Sequence, residues 1–222
     1  MTDETPAAPL SPLLTENEAR VLGCLVEKAA TTPEQYPLTA NAALVAANQK
    51  TSRDPIMELE LGEVGHVLRM LEDKKLVRVQ HASRAYRYEH RIDEVYTLTG
   101  PQRALLCLML LRGPQSAPEL LTRSDRLARF TDIDQVKDTL DRLTRRQPPL
   151  AVRLGRMPGQ REERFMHLLC GLEVAEKSAA YTRHADAHEG SAASSGLSER
   201  VTTLETEVER LRAALRELGA DV

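Results

Sequence analysis

The stretch "LVRVQHASRAYRYEH", residues 76–90, decides how the chain is read. Val77 and Val79, then Tyr86 and Tyr88, alternate with arginines and other polar residues at a period of two, the spacing of strands with one buried face. A turn is expected at residues 82–84, so the segment reads as a β-hairpin.

Upstream the period changes from two to that of helices. Residues 61–74 place Val64, Val67, Leu68 and Leu71 on one side of a helix. "ANAALVAAN", residues 40–48, predicts another, buried through Leu44 and Val45. Residues 16–29 predict the first, with Val21, Leu22, Leu25 and Val26 as its stripe and Thr15 with Glu18 at capping-box spacing. In the connector "TTPEQYPLT", residues 31–39, Thr32 is expected to cap a short turn begun by Pro33. Pro37 holds Tyr36 extended and Thr39 caps the next helix, leaving Glu34, Gln35 and Tyr36 as a contact edge. Three helices followed by a hairpin is the order of a winged-helix domain.

The pattern then recurs. Thr99 and Gln102 have capping-box spacing before the apolar run "RALLCLMLLR", residues 103–112, in which Cys107 is placed much as Cys24 is in the first helix. Ser116 and Glu119 open a short helix, and Thr131 is expected to cap a longer one over residues 132–145, with Ile133, Val136, Leu140 and Leu143 on one side. "LAVRLGRMPGQREERFMHLL", residues 150–169, completes a second hairpin turning at Pro158 and Gly159.

Beyond residue 170 the composition shifts, with 14 of the 26 residues from 171 to 196 being Ala, Ser or Gly, which reads as a flexible linker. Leu197, Val201, Leu204, Val208, Leu211, Leu215 and Leu218 follow at alternating spacings of four and three, an a/d heptad seam. Branched valine at a, leucine at d, and complementary Arg200–Glu205 and Glu207–Arg212 pairs predict a parallel homodimer. The expected fold is therefore mainly α (α+β). A disordered N-terminal tail (1–13) leads into winged-helix domains over 14–95 and 96–170, then the linker (171–196) and a C-terminal coiled-coil helix (197–219).

The motifs "EARVLGCLVEKAATTPEQYPLTANAALVAANQKTSRDP", "LRGPQSAPELLTR" and "GRMPGQREERFMHL" resemble the YceH-like family of bacterial proteins, over about residues 14–169. The resemblance implies tandem winged helices and a family whose biochemical function is uncharacterised. This chain departs from the family pattern at Ala47, where cysteine is usual, at Ser52, where asparagine is usual, and at Glu60, which replaces a serine cap. The third helix is thus expected to begin without its usual cap.

Composition narrows the chemistry. A net charge of -3 argues against a nonspecific coat on nucleic acid, and 3% aromatic residues without tryptophan argue against a base-stacking platform. There is no signal-peptide pattern and no run of about 18 apolar residues, so a cytoplasmic protein with no membrane contact is expected. Three scattered cysteines without CxxC spacing support neither disulfide nor zinc, and His184 with His188 lacks a third ligand. No phosphate loop, HExxH or nucleophile elbow is present, and a non-enzyme without metal or cofactor is expected.

Two functions remain. The wings are arginine-rich, with Arg78, Arg84, Arg87 and Arg91 in the first and Arg153, Arg156, Arg161 and Arg164 in the second. They would track the backbone of double-stranded DNA in a DNA-associated or regulatory protein. Lys50 and Arg53, in "NQKTSRDP" (residues 48–55), either join that contact or flank residues that cap helices around Pro55. Against DNA stands the third helix: residues 54–73 hold six acidic residues and one arginine. The alternative is a protein-interaction adaptor that uses this acidic helix and the coiled coil to bind a protein partner.

Overall fold

A computed structural model describes residues 10–81, 85–155 and 162–178. The expected turns at 82–84 and at Pro158–Gly159, and the heptads from Leu197 onward, lie outside the described residues.

Helix α1 (Glu16–Thr31) starts where Thr15 and Glu18 exchange bonds: the Thr15 amide donates to the Glu18 carboxylate at 2.7 Å and the Glu18 amide to the Thr15 hydroxyl at 3.3 Å. A 3-10 turn (Pro33–Gln35) leads to α2 (Ala40–Ala47), capped by Thr39, whose hydroxyl accepts from the Ala42 amide. The Thr32 hydroxyl makes no cap for the turn; it donates to the Lys28 carbonyl and closes α1 instead. Helix α3 (Leu61–Asp73) buries Val64, Val67, Leu68 and Leu71 as the periodicity requires. Its start corrects the expectation of a missing cap, because Glu60 forms a capping box with Glu63 and donates its amide to the Glu63 carboxylate at 2.7 Å.

Strands β1 (Val77–His81) and β2 (Tyr86–His90) pair antiparallel, Val79 opposite Tyr88. Leu38 adds a bridge on the far side of Tyr88, each amide donating to the other's carbonyl. Periodicity gave no sign of α4 (Ile92–Tyr96), a single turn after the hairpin. Then come α5 (Gly100–Arg112), β3 (Gln115–Ser116), α6 (Ala117–Ser124), α7 (Ile133–Arg145), β4 (Ala151–Leu154) and β5 (Arg164–His167), with β5 between β3 and β4. Asp132, not Thr131, caps α7 and accepts from the Gln135 amide at 2.8 Å. The fold is mixed α+β and mostly helical.

The two halves have one connectivity. In each, a helix leads to a short extended piece that pairs with the last hairpin strand, and the residue after or at that piece, Thr39 or Ser116, caps the next helix. Their first helices pack together. A Cβ on Gly23 of α1 would lie 3.0 Å from Leu111 and 3.1 Å from Leu110 of α5, and the Cys107 thiol donates to the Gly23 carbonyl. A side chain at Gly23 would press on α5 and require it to shift. Residues 104–111 of α5 are all buried, as befits a helix that is apolar on every face, and one hydrophobic core runs through both halves.

Three expectations change. In α2, Val45 is 68% exposed, while Ala43, Ala46 and Ala47 form the buried face. Leu44, half-buried, packs on the core beside these methyl groups, and Val45 is turned out. Residues 10–13 are placed: Leu10 packs on the core and the Pro12 carbonyl accepts from the Tyr96 hydroxyl. Residues 172–178, read as linker, are helical with Ala175 fully buried; alanine suits a packed helix as well as a linker.

A buried ion pair ties the first half together. Arg53, whose side chain is fully buried, grips both oxygens of Glu27 in α1, at 3.1 and 2.6 Å. Glu27→Ala leaves that guanidinium uncompensated and is expected to lower unfolding free energy by roughly 3 kcal/mol. Asp134→Ala, at an exposed pair, is expected to change it by less than about 0.5 kcal/mol. Urea titration of both variants checks the contrast, and equal effects would contradict it.

Candidate interaction surfaces

The basic residues expected at a nucleic-acid interface fall into distinct environments. Arg53 leaves the surface altogether. Besides Glu27, it donates to the Ala46 and Ser52 carbonyls and to the Gln49 side chain, and burial costs its charge less than these partners return. It holds the core and is no phosphate contact. Lys50 and Arg78 are exposed, and neither has an ion-pair partner among the described residues. Asn48 fulfils the capping alternative in a modified form: its side chain pairs with the Leu59 backbone, donating to the carbonyl at 2.8 Å and accepting from the amide at 2.9 Å.

In the first wing, Arg87 donates to the Pro37 carbonyl at 2.7 Å and Arg91 pairs with Glu94. In the second, Arg153 pairs with Asp141 of α7 at 3.0 Å and Glu163 at 3.5 Å, and its guanidinium lies 5.5 Å from the Phe165 ring centroid. Arg164 binds the Pro114 carbonyl and Glu119. These bonds brace each hairpin against its own half. Arg84, Arg156 and Arg161 lie outside the described residues, as do Leu197, Val201, Leu204, Val208, Leu211, Leu215 and Leu218.

The outward face of α3 has the opposite character. Glu60, Glu63, Glu72 and Asp73 are exposed and form no ion pair among the described residues, and Leu61 is 47% exposed beside them. On α7 Lys137 pairs with Asp134 and Arg145 with Asp141, while Asp138 and Arg142 are exposed and in no ion pair among the described residues.

The connector at residues 31–39 is absorbed by structure. Tyr36 is extended, its ring lies against His90, and its hydroxyl accepts from the His90 amide at 2.6 Å. Burial raises that phenol's pKa, so it stays neutral. Glu34 and Gln35 remain exposed. Cys24 and Cys107 are buried thiols; desolvation pushes Cys24 up to about 11 and Cys107 well above the ordinary range, which removes their nucleophilicity. Among the described residues no His, Cys, Asp and Glu cluster could hold a metal ion, and no helix is long and apolar enough to cross a membrane.

His66 and His81 are exposed, whereas His167 on β5 is buried with its Nδ1 unpartnered. Desolvation holds its pKa down to about 4, against an ordinary 6.5. The unfolded chain therefore binds this proton more tightly than the folded one. Stability from this group is complete above about pH 6.5 and is lost as pH falls toward 4, by roughly 3 kcal/mol. Melts of the wild type and His167→Leu across that window should show a shallower acid-side decline in the variant; parallel curves would exclude the effect.

Comparison with known proteins fits this picture of a recurring but unassigned architecture. Residues 14–160 match the family described as "Protein of unknown function, DUF480". The chain is 52% identical to a UPF0502 protein of Mesorhizobium japonicum, over 94% of this chain and 97% of that one. It is 53% identical to one of Stenotrophomonas maltophilia, over 98% and 99%, and 52% identical to one of Xanthomonas campestris pv. campestris, over 99% and 97%. The chain belongs to the DUF480 family of uncharacterised bacterial proteins, in keeping with its resemblance to the YceH-like proteins.

Proposed function

We propose that this protein is a non-enzymatic, cytoplasmic adaptor built of two tandem winged-helix domains, residues 14–95 and 96–170, and dimerised through the heptads at 197–219. The recurring helix, extended piece, two helices and hairpin supports the domain reading. The observation that carries the function is the outward face of α3, the helix a DNA-binding winged helix would lay in the major groove. Its exposed carboxylates would meet phosphate with repulsion and release no counterions. The same face suits a basic protein surface.

DNA association is the second reading, favoured by Arg78 and Lys50, which are exposed and in no ion pair among the described residues. The two readings separate in a gel-shift titration of the full chain against a labelled duplex at low salt. The adaptor predicts no shift below about 10 micromolar, with Arg78→Glu making no difference. A tighter, salt-sensitive shift that Arg78→Glu abolishes would assign the protein to DNA. Light scattering at tens of micromolar should give twice the chain mass, falling to one chain mass on deletion of residues 197–222. A single chain mass before deletion would remove the dimer.

A further inference from the structure

Three large apolar side chains exposed on the described surface belong to one joint. Val45 on α2 is 68% exposed, Ile56 in the following loop 58%, and Leu61 at the start of α3 47%. The pieces of chain that carry them are lashed together from inside. The buried Arg20 guanidinium donates to the carbonyls of Ala47 and Pro55, and Asn48 holds the Leu59 backbone in both directions. Each exposed apolar residue lies within three positions of one of these anchored groups, so the rim is rigid before anything binds to it.

From residue 54 to residue 65 its charge is of one sign, the exposed Lys50 standing earlier in the same loop. Asp54, Glu58, Glu60 and Glu63 are exposed around the apolar residues, residues 54–65 contain no base, and none of the four carboxylates is in an ion pair among the described residues. The helix is also thinner here than its own fold requires. A Cβ at Gly62 or Gly65 would meet no atom within 4 Å, and neither glycine has positive φ. Glycine weakens a helix relative to alanine, and no packing contact among the described residues repays that cost.

We propose that this rim docks a cationic amphipathic segment of a partner protein, with the partner's apolar stripe on Val45, Ile56 and Leu61 and its lysines or arginines on Glu58, Glu60 and Glu63. The inference rests on the adaptor reading and names its site and its partner's chemistry. Charge selects the occupant. Nucleic acid and anionic lipid headgroups are repelled, and the same rim of a second copy brings like charges together. The open helix face at Gly62 and Gly65 lets a partner backbone approach closely.

The test uses the full-length, isotope-labelled chain and a synthetic helical peptide of about 18 residues made of leucine and lysine, with a leucine–glutamate peptide as control. Amide shifts should be confined to residues 43–47 and 56–66 and absent with the control peptide. Leu61→Asp should weaken binding at least tenfold and Glu58→Lys severalfold, both leaving the melting temperature within error because neither side chain takes part in the capping box of α3. Gly65→Ala should raise the melting temperature yet weaken binding severalfold, which separates docking from folding. Shifts that map to another face, or affinity indifferent to these variants, overturn the rim and leave the adaptor standing. No peptide binding together with a tight duplex shift overturns both.

Discussion

The first half of this protein depends on a pair of buried arginines. Helix α2 has eight residues, too few to persist alone, and its last carbonyls have no partner within the helix. Arg53 takes the Ala46 carbonyl and Arg20 the Ala47 carbonyl, so two guanidinium groups close the negative end of α2 from the core side. Burying such charge is costly unless it is compensated. For Arg53 the compensation is Glu27, held bidentately; for Arg20 it is carbonyl oxygens alone, with its Nε left unpartnered. Desolvation accordingly lowers the Arg20 pKa, while the nearby Asp54 acts the other way.

The same cluster reaches the second half. The Asp54 amide, next to Arg53, donates at 2.9 Å to the Leu111 carbonyl at the end of α5. Gly23, one turn before Glu27 in α1, allows α5 to approach. The loop from Asn48 to Leu59 is thereby fixed at both ends and in the middle. Ser52, at φ 62°, is held in the left-handed region that non-glycine residues rarely adopt. The two halves thus meet through fixed backbone contacts as well as apolar surface.

What the sequence revealed was whatever periodicity and capping encode. The buried faces of α1, α3 and α7, and the caps at Thr15, Thr39, Thr99 and Ser116, stand where residue spacing put them. Spacing failed where side-chain size and charge pull in opposite directions. Valine outranks alanine in apolarity, yet α2 reversed their places. Arg53 in a polar, turn-rich segment reads as a surface cation, and only the fold brings Glu27, 26 positions away, to meet it. The exposed rim was hidden by the same ambiguity, because Ile56 and Leu61 look like core residues until the core is seen to be filled by others.

Paired and unpaired charges are arranged differently on α3 and on the second wing. On α7 and the second wing, Asp141 alone receives Arg145 and Arg153, and Glu119 receives Arg123 and Arg164, so charges there neutralise one another and stiffen the hairpin. Exposed pairs of this kind add little stability, but they leave little net field for a ligand. On α3 the carboxylates face solvent in no ion pair among the described residues, and Arg69 is the single exposed arginine or lysine on the helix. Like charges gathered on one face repel one another in the free protein, and that repulsion is relieved when a cationic surface arrives. Selectivity for a basic partner therefore follows from leaving these groups unpaired, while the buried arginines fix the joint that presents them.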